Sequence, residues 1–183
     1  RRRGARRQPL PAQAPLLVFE LLFQLTSNDT TLEDSFWRYL DTIANFDPDD
    51  AICHGAIYNV LILFALRRSD SSMAERLCQL ADEAYARCGS DYLRGFVHMH
   101  QALISVYEGR LDAALAAIAR AGGFFGVTDQ AECEQAMVEI TRLWIVAEAD
   151  GTLPSFAALQ PLKEQLIAGE FWPETYLVLA PLE

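Results

Sequence analysis

Three histidines, four cysteines and a run of aspartates are the side chains of this 183-residue sequence with the chemistry of metal ligands, nucleophiles or proton carriers. His98 and His100 stand two positions apart, so on a helix they point about 200° away from each other and cannot grip one metal ion together. His98 reads instead as a residue packed between helices. Cys53 and His54 are adjacent, and a helix turns adjacent residues to different faces, which argues against a thiol with its base. Cys53, Cys78, Cys88 and Cys133 include no C-x-x-C pair, so the expectation is reduced thiols in a cytoplasmic protein, without a disulfide framework or zinc cluster. Asp47, Asp49 and Asp50 lack the glycine that a calcium loop needs after its third acidic ligand, because Ala51 and Ile52 follow. Capping a helix is their expected role. Gly122, Gly123 and Gly126 have no preceding strand and no phosphate-reading context, so they predict a loop, with Phe124 and Phe125 tucked onto adjacent helices. No G-x-S-x-G elbow and no G-x-x-x-x-G-K-[ST] loop occurs, and the only lysine is Lys163. The expectation is a non-enzymatic chain with no catalytic residue, no metal and no cofactor.

Charge narrows the partners. Arg1, Arg2, Arg3, Arg6 and Arg7 hold five of the 15 basic residues, which leaves 10 against 25 acidic ones in the rest of the chain. An acidic body of this kind repels nucleic acid and anionic lipid, so neither is expected to bind the folded part directly. Residues 1–14 read as a flexible basic leader and 15–183 as one folded domain. The stretch "APLLVFELLFQL" has Glu20 inside it and is too short to span a bilayer, which favours a buried first helix.

The elements that must position these residues are helical. Thr30 with Glu33, Ser72 with Glu75, and Asp129 with Glu132 each set a capping oxygen three residues ahead of a carboxylate, and Asp47-Pro48-Asp49-Asp50 places proline and acids at a helix start. From Met73 the apolar positions Leu77, Leu80, Ala84 and Cys88 oppose Arg76, Glu83 and Arg87. From Tyr92 to Tyr107 the residues Leu93, Phe96, Val97, Met99, Leu103, Ile104 and Val106 leave almost no polar side, so neighbours must cover this helix on more than one flank. No sustained alternation marks a strand. Helices are predicted over 15–26, 31–45, 48–67, 72–88, 91–108, 111–121, 129–149, 155–168 and 173–181.

Sliding the chain by 40 residues sets Tyr58 on His98, Leu63 on Leu103, Ala74 on Ala114, Cys78 on Ile118 and Ala81 on Ala121. The corner Ser69-Asp70 lands on Gly109-Arg110, and a third corner, Asp150-Gly151, comes two residues late. Val138 opens a third pair and Val18 a weaker first one. The fold class predicted is all-α, with about four tandem antiparallel helix pairs at a period near 40 residues. Gly109-Arg110 would turn the chain within one pair, Ala114 and Ala121 would let its second helix cross the first closely, and Gly122-Gly123 would end it.

The segment "EGRLDAALAAIARA" resembles the second helix of a tetratricopeptide-like repeat, through Gly109, Ala114, Ile118 and Ala121. Its first helix carries His98, Gln101 and Ala102 where that family commonly has tryptophan, leucine and a small residue, and the family's period is about 34 residues. With "SDYLRGFVHMHQALISVYEGRLDAALAAIARA" and "IAGEFWPETYLV", residues 50–180 are similar to the helical-repeat region of large LuxR-type, maltose-activator-like bacterial transcriptional regulators. That resemblance implies an α-solenoid that binds a protein segment or small effector on its concave side. By it, Asn59, Leu63, Phe96, Met99, Leu103 and Val106 are the candidates for the binding wall. The rival expectation is a scaffold segment that self-associates into a homo-oligomer through exposed ends of the helix array.

Overall fold

A computed structural model describes residues 49–127 and 131–168. The basic leader, the helices predicted over 15–26, 31–45 and 173–181, the Thr30–Glu33 cap, and Asp47 and Pro48 lie outside the described residues. Six helices are described: α1 (Ala51–Arg67), α2 (Ser71–Cys88), α3 (Asp91–Tyr107), α4 (Leu111–Phe125), α5 (Glu132–Asp150) and α6 (Phe156–Ala168). No strand occurs among the described residues, and none of their helices is long and apolar enough to cross a membrane. The fold is an all-α array of helix pairs, α1 with α2, α3 with α4 and α5 with α6. The chain divides into two compact units between Ser90 and Asp91, the first holding α1 and α2 and the second α3 to α6.

The first two pairs are built alike, residue by residue, at a spacing of 40. In unit 1 the second helix buries Ala74, Leu77, Cys78, Ala81 and Tyr85 at 2% exposure or less, and in unit 2 the matching Ala114, Ala117, Ile118, Ala121 and Phe125 are buried as deeply. This spacing of three, four, seven and eleven keeps one stripe of each helix dry. Small residues on the stripe let the backbones approach. At the far end of each pair a ring lies on a glycine of the first helix. A Cβ built on Gly55 would sit 2.7 Å from Cδ1 and 2.8 Å from Cζ of Tyr85, and one on Gly95 would sit 2.6 and 2.8 Å from Cζ and Cδ1 of Phe125. Because Tyr85 ends its helix and Gly55 begins the other, the two helices run antiparallel.

The corners repeat as well. Asp70 N–H donates to Ala65 O at 2.9 Å and Ser69 N–H to Leu66 O at 2.9 Å; the same two bonds recur from Arg110 to Ser105 at 2.8 Å and from Gly109 to Val106 at 2.9 Å. In the third pair they run from Thr152 to Ala147 and from Gly151 to Glu148, two residues late. Such closures need a left-handed residue. Gly109 at φ 71° and Gly151 at 62° supply it without cost, whereas Ser69 adopts φ 58° with a side chain in place.

Several predicted boundaries are corrected. α4 continues through Gly122 and Gly123 to Phe125 instead of ending at 121, so those glycines are helical and not a loop. The extra turn delivers Phe125 to Gly95. Gly122 also lets α4 lie close to α5, where a Cβ would be 3.4 Å from Val138 Cγ1, and its carbonyl accepts from Gln135 Nε2 at 3.1 Å. α2 is capped by Asp70, whose Oδ1 accepts from Met73 N–H at 3.0 Å, and not by Ser72, which falls inside the first turn. α1 starts at Ala51, capped by Asp50, and α5 starts at Glu132 with no side-chain cap on Ala131. Cys88 is exposed and not part of the dry stripe, because Tyr85 completes the stripe one turn earlier.

Two opposite glycine responses follow. Gly95→Ala forces a methyl into the buried Phe125 ring and is expected to lower stability by about 1–3 kcal/mol. Gly123→Ala, in a helical site with nothing within 4 Å, is expected to raise it by about 0.5–1 kcal/mol. Ser69→Gly relieves the left-handed corner and should also stabilise, by about 1 kcal/mol. Urea midpoints of the three variants against the parent measure all of these.

Candidate functional site

The centre of unit 2 is an aromatic cluster at the start of α3. The Phe96 ring meets Phe125 edge-on at 5.0 Å and Tyr92 at 5.4 Å, and Tyr92 meets Phe125 at 5.7 Å. Edge-to-face contacts of this kind fix ring positions more tightly than aliphatic packing does. The Tyr92 hydroxyl donates to Glu134 Oε1, which ties α3 to the first turn of α5 and gives the buried Glu134 carboxylate a partner. None of the residues from Tyr92 to Val106 is exposed, as expected for a helix apolar on every side.

His98 and His100 are both buried, on different sides of α3. The His98 ring stacks on Phe124 at 5.1 Å and 6°, and Arg94, one turn earlier, sets its guanidinium 4.6 Å from the same ring centre. Nδ1 of His98 lies 2.7 Å from Gln101 Oε1, a hydrogen-bonded pair on one face of α3. His98 is therefore a packing residue, and Phe124 is held between helices. Among the described residues no group of three His, Cys, Asp or Glu side chains is placed to hold a metal ion.

Three of the four thiols are pushed upward. Burial pushes Cys78 up to about 12, with Glu75 and Asp82 adding to it, and burial followed by the Asp50 carboxylate pushes Cys53 up to about 11. Burial and Glu134 raise Cys133. A nucleophilic cysteine needs the opposite shift. Asp50 accepts the Cys53 N–H at 3.1 Å, and its bonds to Cys53 hold its carboxyl below the usual range, so it caps α1.

Of the six wall candidates, Asn59 and Leu63 lie on α1 in unit 1, and Phe96, Met99, Leu103 and Val106 on α3 in unit 2. Met99 belongs to the buried core of unit 2, and Phe96 and Val106 pack against it. Asn59 and Leu103 are half-buried and Leu63 is buried. Sequence reasoning missed the Tyr92–Glu134 link and the exposed row on α6, Phe156 and Ile167. The latter had a signal, since the two residues are spaced to share one side of a helix. Compared with protein-family models, curated proteins and solved structures, the chain finds no match in any of the three. The resemblance to regulator repeats rests on residue pattern and period alone.

His100 gives a pH test. Burial pushes its imidazole down to about 4, from 6.5. Between those values the unfolded chain binds the proton and the folded chain does not, so stability falls as pH drops through this window and this contribution levels off below it. The expected loss is about 3 kcal/mol between pH 7 and pH 4, read from urea titrations at each pH. His100→Gln should remove that limb.

Proposed function

We propose that this chain is a non-enzymatic helical-repeat interaction module that binds a protein segment or small effector along its first helices and passes occupancy to an attached or associated LuxR-type bacterial transcriptional regulator. The observation that carries the reading is the 40-residue equivalence of the first two pairs, down to the glycine–aromatic joint and the corner bonds. Repeated pairs offer repeated surfaces, and such arrays bind along the side lined by their first helices. Asn59 in unit 1 and Phe96, Leu103 and Val106 in unit 2 are half-buried and so each keep some surface for a ligand. The acidic body favours a neutral or basic ligand over nucleic acid or membrane.

Hydrogen exchange of the chain during titration with a panel of peptides and metabolites tests this. A bound compound should slow exchange in α1 and α3, and Leu103→Asp should weaken its binding by about tenfold or more. Exchange in both helices that stays unchanged across the panel contradicts the proposal.

A further inference from the structure

The first turn of α5 is bonded to every other described helix of unit 2. The Glu134 carboxylate accepts from the Tyr92 hydroxyl on α3, Gln135 Nε2 donates to Gly122 O on α4 at 3.1 Å, and Glu132 O accepts from Gln165 Nε2 on α6 at 3.2 Å. No side chain caps the turn at Ala131, so its seat depends on these bonds and on the burial of Ala131 itself. The three bonds differ in what their loss leaves behind. Gln135 and Gln165 are neutral amides with water within reach, whereas Glu134 is 5% exposed and would be left as a buried carboxylate without its donor. An uncompensated buried charge costs far more than a lost bond between neutral groups at the surface. The turn therefore has two favoured arrangements, docked with Glu134 on Tyr92, or opened with the carboxylate in water.

Two rings aim the Tyr92 hydroxyl. Its own ring meets Phe96, one helical turn on, at 5.4 Å and Phe125 at 5.7 Å. Phe125 is buried on Gly95 and has no freedom to move, but Phe96 is half-buried and belongs to the candidate wall. A hydrogen bond weakens steeply as its donor swings out of line. Movement of the Phe96 ring thus reaches the Glu134 carboxylate through a single side chain. We infer that the Tyr92–Glu134 bond is a relay, through which contact at Phe96 sets how firmly the first turn of α5 is docked. Its use in reporting a bound segment rests on the first-helix reading above, whereas the coupling itself does not.

Hydrogen exchange of the full chain, read amide by amide by NMR, tests the relay with substitutions in place of a ligand. The Ala136 and Met137 amides, which bond back to the first turn of α5, should exchange about tenfold faster in Phe96→Leu and at least about tenfold faster in Tyr92→Phe. The double variant should exchange no faster than Tyr92→Phe alone, because the route from Phe96 is already cut. Ala102 and Ile104 in α3, both buried, report opening of the whole unit and should change less. Three results overturn the proposal: unchanged exchange at Ala136 and Met137 in either single variant, an equal acceleration by Phe96→Leu with and without the Tyr92 hydroxyl, or Ala102 and Ile104 speeding up by the same factor as the α5 amides.

Discussion

Each of the first two helix pairs is gauged by an aromatic ring lying on bare backbone. Tyr85 on Gly55 and Phe125 on Gly95 fix how near the start of the first helix comes to the end of the second. A ring has a set thickness, so the joint acts as a spacer, and the alanines at 74, 81, 114 and 121 must be small for the rest of the helix to close to the same distance. In the third pair Leu159 and Leu166 are the buried residues of the second helix. α6 is seated through these two side chains.

The corners do the complementary task of returning the chain at a set angle. Three of them use the same pair of closing bonds, and the third does so although its sequence, Asp150-Gly151, shares little with Ser69-Asp70. Backbone geometry is what repeats here. Glycine is the natural residue for the left-handed position, and Ser69 shows that the packed first pair tolerates a residue that would not choose that conformation alone.

Much of this was legible in the sequence. Helices, the 40-residue step, the corners and the crossing alanines are local or periodic signals, and periodicity survives without knowledge of the partner surface. The helix ends were less legible. Gly122-Gly123 look like a stop, because glycine is a poor helix former, yet the burial of Phe125 on Gly95 outweighs that cost and draws the helix on for another turn. Asp70 and Ser72 both carry capping oxygens, and only the corner geometry decides between them. The wall residues were hardest to judge. Whether Met99 faces a ligand or the core depends on what packs from α4 and α5, which a spacing rule applied to α3 alone does not contain.

The sheltered thiols carry one more implication. Cys78 in the first unit is buried and its thiol is pushed up to about 12, while the half-buried Cys133 in the second is raised by burial and by Glu134. Reagents that attack thiolate reach such a sulfur chiefly when its surroundings part, so the pace of alkylation at each cysteine becomes a clock for the breathing of the unit that houses it. Cys78, buried in the first unit, thereby serves as an internal gauge of that unit.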